Sequence, residues 1–303
     1  MREGESKDLT PAPEGPPQIQ DCGAPSTVGG HCFHSQVLEF GSMDPVLNQL
    51  PQMAKELLHQ LETYCGLEFQ ILYNPDLQGH EPEIFASPGG DAIRLASVGM
   101  AHNITKFEGD QLVKIGIEHC MDPLTVEVVA HELLHVKHIV LDRAITRMEY
   151  CKQLGLDLAN GGMYNVLDYV EHIFVYRGMT AFGLNNPGGA EGLRSLLKSV
   201  WYQPAGLPKR IVALMAWLQV RFCFPEVREF AIARLLEVDL LEDARKLEAT
   251  VRPLLKVDRI PLMSECLKAI GFRPPDVKLG FYQRQGGRWR LGSLSNPGFV
   301  GAN

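Results

Sequence analysis

Leu47, Leu50, Met53, Leu57, Leu58 and Leu61 recur at the three-to-four-residue spacing of a helix over residues 44–64. Asp44-Pro45 supplies a start signal and Cys65-Gly66 a stop. The period then changes. Residues 67–73 (LEFQILY) alternate and are rich in β-formers, which predicts a strand ended by Asn74-Pro75-Asp76. Further short strands are expected at 83–86, at 92–101 with an interruption at Gly99, and at 111–118 (QLVKIGIE). Ser87-Pro88-Gly89-Gly90 and Glu108-Gly109-Asp110 supply the turns between them. Residues 123–140 return to a helical pattern, with Asp122 as the expected N-cap and Pro123 at the first helical position. This helix either breaks near Leu141-Asp142 or runs on to about residue 154, before Gly155. Asn160-Gly161-Gly162 reads as a turn, residues 164–182 as a helix and 183–189 as a loop. Five helices follow at about 190–201, 208–222, 225–236, 239–251 and 259–270, punctuated by Pro204, Pro208, Pro225, Pro253 and Pro261. Residues 278–283 and 288–291 flank Gln285-Gly286-Gly287 and suggest a hairpin.

This order predicts an α+β fold: a small twisted sheet packed on the 123–140 helix and on a second helix, then a helical C-terminal subdomain. The expected divisions are a disordered N-terminal tail at 1–42, an α+β domain at 43–185, the helical subdomain at 186–270 and a loop or hairpin tail at 271–303. The first of these is rich in Pro, Gly, Ser and charge and poor in large apolar residues. It contains His31-Cys32-Phe33-His34, with Cys22 upstream, but lacks the paired spacing of a zinc finger.

Composition narrows the classes. The 303 residues are 45% hydrophobic and 21% charged, ordinary for a globular protein. A net charge of −7 offers no basic field for nucleic acid or an anionic membrane. Seven cysteines are scattered without a CxxC, the pattern of free thiols in a reducing compartment. No apolar signal segment opens the chain, and the apolar run 211–218 is too short to span a bilayer. A cytoplasmic protein is expected.

The chemistry concentrates in 126–140 (VEVVAHELLHVKHIV). His131-Glu132-Leu133-Leu134-His135 is an HExxH pattern, expected by chance roughly 0.02 times in a chain of this composition. Residues four apart share a helix face, so two imidazoles can grip one Zn²⁺ while the adjacent Glu132 serves as general base to its water. His138 joins this face, whereas Val129, Leu133, Val136 and Val140 form the opposite, apolar side. His138 is not expected to share an ion with both partners, because i and i+7 are about 10 Å apart along the axis. Catalytic zinc usually takes a third protein ligand. Asn165, Asp168, Glu171 and His172 make a polar strip on an otherwise apolar helix, and a strip of that kind needs a buried partner. From spacing alone, Asp168, Glu171 and His172 all remain open as the third ligand.

With its motif helix, a β-rich segment before it and a carboxylate-bearing helix after it, the stretch 44–182 resembles the zincin metallopeptidases, and within them the gluzincin group. That resemblance makes 43–185 a zincin-like catalytic domain and favours Glu171 as third ligand. Asp168 or His172 would then hydrogen-bond a ligand imidazole. The chain departs from the gluzincin pattern, since Glu171 is followed four residues later by Val175 rather than Asp. It lacks the metzincin extension, having His at 138 and Leu-Asp at 141–142. Resembling enzymes pair an extended peptide with an edge strand, here expected within 97–104 (SVGMAHNI), with His102 facing the cleft.

The function implied is zinc-dependent hydrolysis of a peptide or protein substrate. Tyr176, and by position Tyr164, Arg177 and His138, could stabilise an oxyanion. The alternatives are a zincin-like binding or structural protein without proteolysis, and a metal-dependent hydrolase of non-peptide amides or esters. Arg284, Arg288 and Arg290 read as solvated surface.

Overall fold

A computed structural model describes residues 45–75, 77, 84–86, 92–94, 101–150, 156–186, 188–199, 207–256, 259–272 and 277–294. The expected tail at 1–42, its His31-Cys32-Phe33-His34 segment and residues 97–100 of the proposed edge strand lie outside the described residues. Phe40–Asn303 forms one contact unit. Its architecture is mixed α+β, with small sheets against a larger helical body. Among the described residues, no helix is long and apolar enough to cross a membrane.

The first helical stretch divides into α1 (Pro45–Gln49) and α2 (Gln52–Cys65). One continuous helix was the expectation. Pro51 breaks it, because its ring cannot supply an N–H and clashes with the preceding turn. Gly66 ends α2 in the left-handed region at φ 69°, its N–H returning to Glu62 O at 2.8 Å. Strands β1 (Phe69–Tyr73), β4 (Ala101–Glu108) and β5 (Gln111–His119) form a sheet in the order β1-β5-β4. The β1–β5 pair is parallel and the β4–β5 pair antiparallel. Among the described residues, the short β2 (Ile84–Ala86) and β3 (Ala92–Arg94) pair only with each other. The edge strand expected within 97–104 covers the first half of β4; residues 105–108 carry it on to the turn at Gly109.

Helix α3 (Val126–Val140) carries the HExxH pattern. It begins three residues later than expected. Its N-cap is Thr125, extended at φ −98° and ψ 155°, whose Oγ1 accepts from the Val128 N–H at 3.4 Å. It does not run on to residue 154. Arg143 adopts φ 53°, and β6 (Ile145–Tyr150) follows. That strand finds its partner at the far end of the chain, pairing antiparallel with β7 (Val277–Gln285), which in turn pairs with β8 (Arg288–Leu294). The C-terminal hairpin is thus part of a three-stranded sheet. Phe107 stacks on Tyr282 at 3.6 Å, and the Trp289 N–H donates to Asp110 O at 2.7 Å, tying the hairpin to the β4–β5 turn.

Helix α4 (Leu156–Ala181) runs straight through Asn160-Gly161-Gly162, where a turn was expected. Each glycine costs a helix about 1 kcal/mol. Packing of α4 against α6 and α3 overrides that cost. The remaining helices are α5 (Gly189–Ser199), α6 (Leu207–Cys223), α7 (Arg228–Glu237), α8 (Leu241–Val251) and α9 (Arg259–Ala269). Two hydrophobic clusters result. One joins α1, α2, the β1-β5-β4 sheet and α3 through residues such as Leu61, Ile115, Ile117 and Leu133. The other is built from α4 to α9 around Leu214, Met215 and Leu218. Helix α4 serves both, giving Val175 and Met179 to the first and Val166, Val170 and Ile173 to the second.

The α3–α4 contact is close because Gly178 has no side chain. A Cβ there would lie 2.7 Å from Leu134 Cδ2 and 3.3 Å from its Cγ. Gly178→Val should force these helices apart and lower unfolding stability by about 1–3 kcal/mol, the usual cost of overpacking. Urea unfolding followed by circular dichroism measures it, and an unchanged midpoint would refute the close-packing account.

Candidate metal centre

Helix α3 turns Val129, Leu133, Val136 and Val140 into the core, which leaves His131 and His135 one turn apart on the side that faces α4. Helix α4 answers with His172. Its ring centroid lies 5.2 Å from that of His131 and 4.9 Å from that of His135, and the first two rings are 5.0 Å apart. One ring nitrogen from each of the three falls within 4.8 Å of the others. His131 Nε2 and His135 Nε2 are 3.3 Å apart. Two nitrogens at about 2.0–2.1 Å from a tetrahedral ion would be separated by about 3.3–3.4 Å. The donor set, three imidazoles from two packed helices, therefore fits a single divalent ion.

Glu171, favoured by the family resemblance as third ligand, is not brought to this pair. Its Oε1 accepts a hydrogen bond from His138 Nδ1, and its Oε2 lies 3.6 Å from the Arg259 guanidinium. Helical geometry explains the outcome: adjacent residues point about 100° apart, so α4 can present Glu171 or His172 to α3's histidine pair, not both. Asp168 stands behind His172. Its main-chain carbonyl is 2.8 Å and its carboxylate 3.2 Å from His172 Nδ1, leaving Nε2 directed elsewhere. His138 is buried beside Glu171 and takes no part in the three-histidine group.

Glu132 is buried at 4% exposure beside the pair. Burial pushes its carboxyl up to about 7, against the opposing pull of the His172 charge and of hydrogen bonds from the Asn103 side chain and main chain. Asn103 belongs to β4 and was not singled out in the sequence. The only signal for it was its place in the SVGMAHNI stretch. His102, expected to face the cleft, instead meets Glu118 on β5 at 3.0 Å and is half exposed. The Tyr176 ring lies 5.3 Å from that of His172 and 6.0 Å from that of His131. Burial, then the Asp168 charge, raises its phenol above the ordinary range, so it stays a hydrogen-bond donor. The side chains of Tyr164 and Asn165 lie outside those described, and Arg177 is exposed.

The three imidazoles divide one proton unequally. Burial and then the charge of His172 push His131 down to about 3. Burial and the neighbouring histidines hold His135 well below its usual value. Burial also opposes charge on His172, but the hydrogen bond and charge of Asp168 outweigh it and raise His172 to about 9. At neutral pH the metal-free cluster therefore holds its proton on His172. His131 Nδ1, buried, has no hydrogen-bond partner among the described residues.

No family model, no curated protein and no solved structure matches this chain.

Asp168→Asn should drop the His172 titration from about 9 toward the ordinary histidine range, as followed by NMR of the imidazole protons in metal-free protein. Because the folded-state value is the raised one, the proton's contribution is complete below about pH 6.5 and is lost as pH rises through 9. The stability gap between wild type and variant should follow that window, and a gap independent of pH would contradict the assignment.

Proposed function

We propose that this chain is a zinc-dependent hydrolase acting on peptide bonds, with His131, His135 and His172 holding the ion and Glu132 acting as general base. The observation that carries this reading is the convergence of His172, from a second helix, on the HExxH pair beside a buried carboxylate. When bound, zinc supplies a Lewis acid and brings the pKa of a water toward about 7. Glu132 then accepts a proton as the carbonyl is attacked and returns it to the leaving amine. Asn103, hydrogen-bonded to that carboxyl, limits its orientation. Tyr176, kept protonated by burial, has its ring 5.3 Å from that of His172 and suits a developing oxyanion. Asp168 fixes the tautomer of His172 through Nδ1. Occupation by a cation requires His172 to be neutral, so loading at neutral pH releases its proton.

The zincin-like features that support the reading are the small sheet, the α3 helix packed against edge strand β4, and the second helix α4. The third position departs from the gluzincin habit, with an imidazole in place of a carboxylate. A second reading, a structural metal site in a non-catalytic protein, draws on the burial of His131, Glu132 and His172.

Glu132→Gln separates the two. The variant should still bind one zinc per chain by elemental analysis. It should lose peptide hydrolysis by about 10²–10⁴-fold, the range for removing a general base. Wild-type protein that holds zinc yet shows no chelator-sensitive cleavage of a peptide library would favour the structural reading.

A further inference from the structure

Beside the histidine group, α3, α4 and α9 meet at an ionic cluster whose His138, Glu171 and Arg259 are largely buried and whose Lys137 and Asp142 lie nearer the solvent. His138, one turn beyond His135 on α3, donates from Nδ1 to Glu171 Oε1, and Glu171 is the residue just before His172 on α4. Arg259 opens α9 and is 8% exposed. Its guanidinium lies 3.6 Å from Glu171 Oε2 and 3.3 Å from Asp142 Oδ2, and stacks over the Phe174 ring at 4.4 Å. Lys137 Nζ closes the cluster on Asp142 Oδ2 at 2.5 Å. Buried charges of this kind are poor sources of net stability, because desolvation offsets their attraction. What they can fix is register: which side chain faces which neighbour.

Register is what this position demands. Glu171 and His172 are adjacent, both are able to bind a metal, and about 100° of helix rotation separates them. We infer that Arg259, acting through Glu171 and His138, is a positioning residue that sets the roll of α4, so that His172 rather than Glu171 meets His131 and His135. This rests on the metal-centre reading above and adds a requirement for the C-terminal helical region. Helix α9 acts on the proposed centre through one guanidinium, which lies against Glu171. The cluster holds the competing carboxylate against His138, one turn along α3 from His135, while α4 presents the imidazole to the pair.

The test titrates the purified full chain with Co²⁺, whose visible absorption reports ligand type and geometry. Wild type should bind one Co²⁺. Arg259→Met should weaken that binding about 10- to 100-fold, the range for losing a residue that orients a ligand, and alter the visible bands. Arg259→Lys should recover part of both. Arg259→Met alone leaves Glu171 short of a cation, so its metal-free melting temperature should fall. Arg259→Met combined with Glu171→Met removes that unpaired charge and should restore melting while binding stays weak. The double variant also carries the test if the single one does not fold. Wild-type affinity and spectrum in either folded Met variant would overturn the positioning role while leaving the metal centre in place. Failure of the wild type to take up Co²⁺ would bring down both.

Discussion

The site depends on how closely α3 and α4 pack. An α-helix can set two imidazoles one turn apart by itself, but a third nitrogen has to come from elsewhere in the chain. Gly178 lets the Leu134 side chain lie against the α4 backbone, and His172 sits within two turns of that contact. Val175 and Met179 then bury the same stretch of α4 against the sheet cluster, while Val170 and Ile173 bury it against the helical body. Held by two cores, α4 has little freedom to slide along α3.

Burial gives this arrangement its electrostatic character. Two of the imidazoles are held neutral chiefly by desolvation, and the third keeps a proton chiefly because Asp168 faces it. Glu132 is raised for the same reason as the histidines are lowered: the charged form of each is disfavoured away from water. A divalent cation in the proposed centre would take the place of that proton, and Glu132 and Asp168 would then face a positive charge. The Glu171–His138–Arg259 cluster is the counterpart one turn further along α3, where a guanidinium lies against the carboxylate.

What could be read from the sequence was whatever is local. The 126–140 pattern combines a helical period with a motif whose residues are sequence neighbours, so α3 and its histidine pair were legible. The late helices were legible too, because proline punctuation and period agree. Pro51 carried enough information to split the first helix, and the long leucine repeat obscured it. Strand β6 was hidden because its pairing partner β7 lies at the other end of the chain. The run of α4 through Gly161-Gly162 was hidden because packing, not local propensity, decides it. The choice among Asp168, Glu171 and His172 was illegible for a similar reason. The roll of α4 reflects contacts from α3 and α9, and no spacing within 165–177 encodes Arg259. Asn103 escaped because its significance lies in a contact across to Glu132, not in its strand.

The central claim is that one ion is held by His131, His135 and His172. X-ray absorption at the zinc edge of the loaded full chain, compared with His172→Ala and Glu171→Ala, addresses it directly. The account predicts a first shell dominated by three imidazoles in wild type, loss of one imidazole or of the ion in His172→Ala, and no loss of a carboxylate ligand in Glu171→Ala. A wild-type shell with two imidazoles and a protein carboxylate, unchanged in His172→Ala, would contradict it.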